Sequence, residues 1–337
     1  MNATTRQQPR PRGGRPVLAF DIGGTKLAAA VVTDDGTPHG VVIEPTRREQ
    51  GWAAVLDRLF AMGRRAVTDA GRAPIGAVGI ACGGPLDAAA GILLDPPHLP
   101  GWHAVPIRAL AEQAFGVPAA LENDATAAAL AEYRCGAGRG TATMLYLTVS
   151  TGIGGGAVVA GRLHLGAAGN AAEFGHVTVL RGGRRCSCGR RGCIEAYASG
   201  TSIAARTKEA LAAGGESALS VLPEVTAADV SRAAAAGDPL ARRIWDETVD
   251  LLGAAVTDLV NVFEPDLVVL GGGVTRAGAM LLEPVRALVA AEAMPPAAAA
   301  ARVELAALGD HVGVVGAGLV GHEYARTPTS EQQVTRV

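Results

Sequence analysis

Lysine is nearly missing: of 30 basic residues only Lys26 and Lys208 are lysine, which makes Lys26, at the end of a glycine turn, conspicuous. Excess charge is missing as well. Against 32 acidic residues the formal net charge is −2, so bulk attraction for phosphate backbones or anionic lipid is absent, and no local basic patch replaces it. Nucleic acid and membrane are therefore not expected partners. The first fifteen residues hold four arginines, no acid and no apolar run, which excludes a secretory signal. Residues 1–16 read as a disordered tail. The longest charge-free stretch, 140–161, is punctuated at its centre by Thr148-Val149-Ser150-Thr151-Gly152-Ile153-Gly154-Gly155-Gly156. That composition favours two buried strands around a turn over a membrane helix. Five cysteines without an export signal fit a reducing cytoplasm, where clustered thiols are more often metal ligands than disulfides. A Walker A pattern is also lacking, because Lys26 follows threonine rather than glycine, which argues against a P-loop enzyme.

What is present is length for two domains and an excess of glycine. The chain has 337 residues, 49% of them hydrophobic, and 45 glycines, about twice the usual share of roughly 7%. Glycine without a collagen period marks tight turns and close backbone approaches. Two segments share a strand, polar turn and strand: LAFDIGGTKLAAAVV from Leu18 and LYLTVSTGIGGGAVV from Leu145. The first turns through Gly23-Gly24 and the second through Gly152 to Gly156. Such self-similarity implies two related domains, each offering a glycine turn to a shared cleft. Helices are expected near Ala53–Ala70, Ile107–Phe115, Ala125–Tyr133, Thr201–Ala213, Ala227–Ala236 and Pro239–Val262, and strands near Ala77–Ala81, Leu267–Leu270 and Val312–Val315. Alternation of strands and helices implies an α/β fold with mixed or parallel sheets. The expected division is a small domain of residues 17–121 with 312–327 and a large domain of 122–311.

Chemistry-bearing residues cluster at the turns. Cys186, Cys188 and Cys193 lie within eight residues, with His176 ten residues upstream, and supply the four nitrogen and sulfur ligands of a closed tetrahedral zinc site. Four protein ligands leave no open position, so the zinc is expected to be structural. Metal binding would fix two nearby carboxylates, Glu173 and Glu195, in one neighbourhood, where they read either as acceptors for sugar hydroxyls or as solvated loop charges. Asp124 opens an alanine-rich helix. Its plain reading is an N-cap; its functional reading is a general base acting on a substrate hydroxyl. The turns Asp21-Ile22-Gly23-Gly24-Thr25-Lys26 and Thr151-Gly152-Ile153-Gly154 can aim backbone N–H groups at phosphate oxygens, and Asp21 can hold magnesium through water. The run Gly316-Ala317-Gly318-Leu319-Val320-Gly321 matches a dinucleotide fingerprint. The sixteen residues after it are too few for the required βαβ unit, so it reads as strand-to-helix packing with room for backbone contact to nucleotide.

Taken together, DIGGTK, ENDA, STGIGGG, EFGH, CSCGRRGCIEAYASG and LGGGV, in order between Val17 and Tyr324, resemble the ROK family of bacterial sugar kinases and sugar-responsive repressors. The resemblance implies a two-lobed, actin-like (ribonuclease H-like) ATPase fold with ATP and hexose in the cleft. It implies that Asp21, Gly23, Gly24, Thr25, Lys26, Thr151 and Gly152 serve the phosphates, with transient magnesium, and that Gly271, Gly272 and Gly273 approach the adenosine. It implies hexose ligands at Gly83, Gly84, Asn123, Asp124, Glu173, His176 and Glu195, with Asp124 as base and His176 shared with the zinc. A homodimer or homotetramer is also implied. The family often has asparagine in its Pro-x-Asn-Leu segment, whereas this chain has Pro96-Pro97-His98-Leu99, which bears on hexose choice.

Three functions follow. The first is an ATP-dependent cytoplasmic glucokinase that phosphorylates the sugar 6-hydroxyl; within the class, a kinase for N-acetylglucosamine or N-acetylmannosamine is the alternative. A sugar-sensing regulator is the different-class reading, disfavoured because sixteen residues before Val17 cannot form a helix-turn-helix reader and because Asp124 and the glycine turns are intact. A sugar-binding protein without turnover is the third.

Overall fold

The computed structural model describes residues 14–326. Most of the tail expected over 1–16, and the polar end beyond Arg326, lie outside the described residues. Within them the chain divides into two units, one running to Ala127 and resuming at Asp310, the other spanning Ala128–Gly309.

The first unit opens with β1 (Val17–Ile22) and β2 (Lys26–Val32), a buried antiparallel hairpin whose turn is Gly23–Thr25. An edge strand, β3 (Pro38–Pro45), follows, alternately half-buried and exposed, with proline at each end where no partner strand needs its N–H. Helix α1 (Trp52–Asp69) repeats apolar residues at helical spacing, burying Val55, Leu56, Leu59, Phe60 and Met62. A Cβ at Gly63 would stand 2.5 Å from Phe20 Cζ, so glycine in mid-helix admits that ring. Then come β4 (Ala77–Cys82), the small ribbon β5 (Leu86–Asp87) and β6 (Ile92–Leu93), α2 (Ile107–Phe115) and β7 (Ala119–Asn123). The main sheet has the order β3-β2-β1-β4-β7, with β1, β4 and β7 parallel. Helix α3 (Asp124–Cys135) begins directly at the end of β7.

The second unit repeats the plan. Strands β8 (Met144–Val149), β9 (Ile153–Val159) and β10 (Arg162–Leu163) are antiparallel, and β11 (Leu267–Gly271) and β12 (Arg302–Leu305) extend β8 in parallel, giving the order β10-β9-β8-β11-β12. The internal similarity read in the sequence is thus a repeated five-stranded topology. Its second turn is shorter than expected: Gly154, Gly155 and Gly156 are paired strand residues opposite Thr148, Leu147 and Tyr146, not turn. The helices here are the short α4 (Glu195–Ala198), α5 (Gly200–Ala212), α6 (Ala227–Ala235), α7 (Pro239–Phe263), α8 (Ala279–Glu292) and α9 (Pro295–Ala300). Their starts carry the expected signals. Asp238 caps α7 with Pro239 in its first turn, and Thr226 and Asp229 form a capping box on α6.

The chain re-enters the first unit as α10 (Val312–Arg326). This corrects the expected strand over Val312–Val315. An unbroken apolar run has no periodicity to separate a buried strand from a buried helix, and the glycines here are packing surfaces. Cβ atoms at Gly316, Gly318 and Gly321 would meet Ala127 O at 2.3 Å, Val32 Cβ at 2.4 Å and Val17 Cγ1 at 2.6 Å, and one at Gly79 would reach Ala317 O at 1.8 Å. The fingerprint-like run therefore brings helix against sheet and turns those glycines to protein, not to nucleotide. No helix among the described residues is long and apolar enough to cross a membrane.

Candidate active site

In the first unit, the ends of β1, β4 and β7 assemble Asp21, Cys82, Gly83, Gly84, Asn123 and Asp124, because parallel strands with matched register end together. Asn123 Oδ1 accepts the N–H groups of Ala125 at 2.9 Å and Thr126 at 3.2 Å. The capping role considered for Asp124 thus belongs to the residue before it. Asn123 Nδ2 faces Gly84, where an added Cβ would lie 3.8 Å away. Asp124 accepts the Ala125 N–H at 2.8 Å. Its carboxylate reaches solvent, yet crowding protein strips enough water to raise its pKa above the usual aspartate value, opposed by the His98 ring and by backbone N–H groups. Asp21 is pushed up to about 6, first by burial and then by the negative charge of Asp124, with Lys26 opposing. A Cβ at Gly313 would fall 2.2 Å from Asp21 Oδ2, so the start of α10 closes on this carboxylate.

His98 is threaded between the two glycine turns of this unit. A Cβ at Gly83 would stand 2.6 Å from His98 Cε1, and one at Gly24 would stand 3.0 Å from His98 Cβ. Its Nε2 lies 3.9 Å from Cys82 Sγ. Burial lowers its pKa, against the pull of Asp124, so the ring is neutral near pH 7. The turn Gly23–Thr25 is held by a residue that sequence reading missed: Thr46, fully buried, donates from Oγ1 to Gly23 O at 2.6 Å and from N to Thr25 O at 2.9 Å. Only the tertiary pairing of β2 with β3 brings Thr46 there.

In the second unit, the turn between β8 and β9 closes with Ser150 N donating to Gly152 O at 2.9 Å. Gly272, at φ 90, lies against it; a Cβ there would be 2.5 Å from Val149 O. Gly272 and Gly273 thus lie against Val149 and Ser150, at the base of the turn that carries Thr151-Gly152. The segment Phe174–His176 docks on β9, with Gly175 against Ile153 O and the Phe174 ring over Gly155, which explains both the glycines of the strand and the phenylalanine of EFGH. Glu173 and His176 are placed by that docking. His176 points Nδ1 at Cys186 Sγ, 3.7 Å away, and Nε2 towards Glu173 Oε2 at 4.0 Å.

One ligand atom from each of His176, Cys186, Cys188 and Cys193 lies within 4.8 Å of all the others, and Cys188 Sγ and Cys193 Sγ are 3.7 Å apart. Sulfurs bound tetrahedrally at about 2.3 Å from one ion stand roughly 3.8 Å apart, so the spacing suits a metal. The electrostatics agree. Burial and the neighbouring thiols push Cys193 up to about 12, a situation that a divalent cation would reverse. Glu195 begins α4 and divides its oxygens: Oε2 accepts the Ile153 N–H at 2.9 Å, and Oε1 accepts Ser187 Oγ at 3.1 Å. Ser187 is a second residue that the sequence reading passed over.

The sequence profile described as the ROK family matches residues 17–323. The glucokinase of Thermotoga maritima is 37% identical over 308 residues, covering 90% of this chain and 96% of that protein. Among solved structures, a ROK hexokinase from Thermus thermophilus superposes with a TM-score of 0.78 at 37% identity, covering 92% of this chain and 99% of that one. A ROK family glucokinase from Streptomyces griseus, solved with glucose and AMPPNP, gives 0.76 at 34% identity, with coverage of 91% and 99%. The chain belongs to the ROK family, and its fold is the two-domain actin-like ATPase fold of those sugar kinases.

Proposed function

We propose that this protein is an ATP-dependent hexose kinase of the glucokinase type, transferring the γ-phosphoryl group to the 6-hydroxyl of glucose. The observation that carries the reading is the state of Asp124: relieved of capping by Asn123, reaching solvent, and with a raised pKa that makes it a stronger base than an ordinary aspartate. The likeness to glucokinases over nine-tenths of the chain supports the substrate pair.

In this reading Asp124 takes the hydroxyl proton as the oxygen attacks phosphorus in line. Backbone N–H groups of Gly24, Thr25 and Thr151-Gly152 meet the phosphates, Gly23 closes its turn by donating to Lys26 O at 3.0 Å, Lys26 adds charge, and Gly271–Gly273 let the adenosine approach the backbone. Asp21 is suited to hold magnesium through water, and magnesium supplies charge neutralisation on the phosphates. Asn123 through Nδ2, Gly83 and Gly84, with Glu173, His176 and Glu195, bind the sugar. His176, Cys186, Cys188 and Cys193 would hold a structural zinc, which stiffens the loop bearing these ligands and takes no part in the chemistry. Cytoplasmic placement, where ATP and the chain's five free thiols both persist, goes with this reading.

The test is ADP release with magnesium and ATP over glucose, N-acetylglucosamine, N-acetylmannosamine, mannose, fructose and allose. Glucose is expected to give the highest kcat/KM. An N-acetylhexosamine in first place would move the substrate within the class, and sugar binding without ADP release would replace the kinase by a sensor.

A further inference from the structure

Glu195 stands between two parts of the second unit that sequence reading treats separately. One carboxylate oxygen accepts the Ile153 N–H of the glycine turn at 2.9 Å; the other accepts Ser187 Oγ, between two metal-suited cysteines, at 3.1 Å, with Cys186 Sγ 3.7 Å away. The approach is close. A Cβ on Gly152 would stand only 2.8 Å from Glu195 Oε2. Behind the carboxylate, Ser202 Oγ donates to Glu195 O at 2.7 Å, so the residue is also fixed at its backbone. On the far side of the turn, Gly200 N donates to Ser150 O at 2.7 Å and Thr201 Oγ1 to Thr151 O at 2.7 Å. The turn is therefore gripped from the start of α5 and from Glu195, and of these two grips the second reaches the metal loop through Ser187, while Gly175, next to His176, packs against Ile153 O.

We infer that Glu195, oriented by Ser187, couples occupancy of the His176–Cys186–Cys188–Cys193 cluster to the geometry of the Ser150–Gly152 turn and the start of β9 at Ile153. Ser187 and Glu195 are positioning residues for the turn. The cluster fixes residues 186 and 188, hence Ser187 between them. Ser187 donates to Oε1 and so holds the plane of the carboxylate; that plane aims Oε2 at the Ile153 N–H. With the cluster empty, no shared ion ties residues 186 and 188 to His176 and Cys193, Ser187 is no longer fixed between them, and the carboxylate loses its second anchor. Metal binding then tunes affinity for phosphate as well as for sugar, and this second part rests on the kinase reading.

The test compares wild type, metal-depleted wild type, Ser187→Ala and Ser187→Thr. Ser187 is not a ligand, so Ser187→Ala is expected to retain stoichiometric metal. Exchange of the Ile153 amide proton, read by NMR, is expected to accelerate about three- to tenfold in Ser187→Ala, more on metal removal, and to return towards wild type in Ser187→Thr. ADP affinity by calorimetry is expected to weaken in the same order. Unchanged Ile153 exchange in both metal-depleted protein and Ser187→Ala overturns the coupling, whatever the nucleotide data show. An effect of depletion without one of Ser187→Ala overturns Ser187 as the link. Wild type that shows the exchange effect but binds no ADP leaves the mechanical coupling standing and removes the kinase reading instead.

Discussion

Asn123 caps the helix that Asp124 begins. Because the cap bonds come from Asn123 Oδ1, helix capping and proton transfer are assigned to adjacent residues. Asn123→Ala is expected to lose about 0.5–2 kcal/mol of stability in denaturant unfolding. Asp124→Asn is expected to unfold like wild type and bind sugar, while losing turnover by at least about 10²-fold. If Asp124→Asn turned over near normally, Asp124 would not be the base.

Asp21 gives a pH dependence of stability with a definite sign. Its folded pKa is raised from 3.8 to about 6. Below about pH 4 both folded and unfolded states hold the proton, and the contribution is fully present; as pH rises through 6 it is lost, because the unfolded chain ionises more easily. Asp21→Asn removes that loss. Its stability relative to wild type is expected to improve by about 1–3 kcal/mol between pH 4 and pH 7.5, allowing for partial solvent screening. Urea unfolding at the two pH values decides it, and a pH-independent difference would contradict the assignment.

His98 and Gly83 are expected to behave as one unit. The 2.6 Å approach of a Gly83 Cβ to the His98 ring means that Gly83→Ala must displace the imidazole. That variant is expected to raise KM for the hexose several-fold, whereas the same substitution in a His98→Ala background should cost much less, a coupling of about 0.5–3 kcal/mol. Additive effects on KM would show that Gly83 does not act through His98.

The sequence was informative where chemistry is local. Glycine turns, amphipathic helices and the cysteine cluster carry their own local signals, so the hairpins at Asp21 and Ser150, the helices α6 and α7, and the grouping of His176 with three thiols were all legible. What depends on remote partners was not. Nothing in Val312–Val315 tells a strand from a helix until Gly79, Val32 and Val17 supply the surface against which the following Gly318 and Gly321 pack. Thr46 acquires meaning only by lying opposite the Gly23 turn, and Ser187 only by facing a carboxylate eight residues away. The exposed alternation of β3 hid an edge strand, because half of its residues face water and proline bounds it.

Removal of the metal should uncouple sugar binding from the fold of the first unit. All four candidate ligands lie within 176–193, inside the second unit, so the loss is local in the chain. Purified protein is expected to contain about one zinc per chain, and Cys188→Ala to lose both metal and sugar affinity. Ionisation also sets the pH at which metal departs: Cys193 is pushed up to about 12 without an ion, so binding must expel a proton, and acid favours release. Metal content measured from pH 8 down to pH 5 should therefore fall while the far-ultraviolet circular dichroism is retained. Carefully purified protein that lacks stoichiometric metal yet phosphorylates sugar at full rate would show that the cluster serves neither the pocket nor the turn.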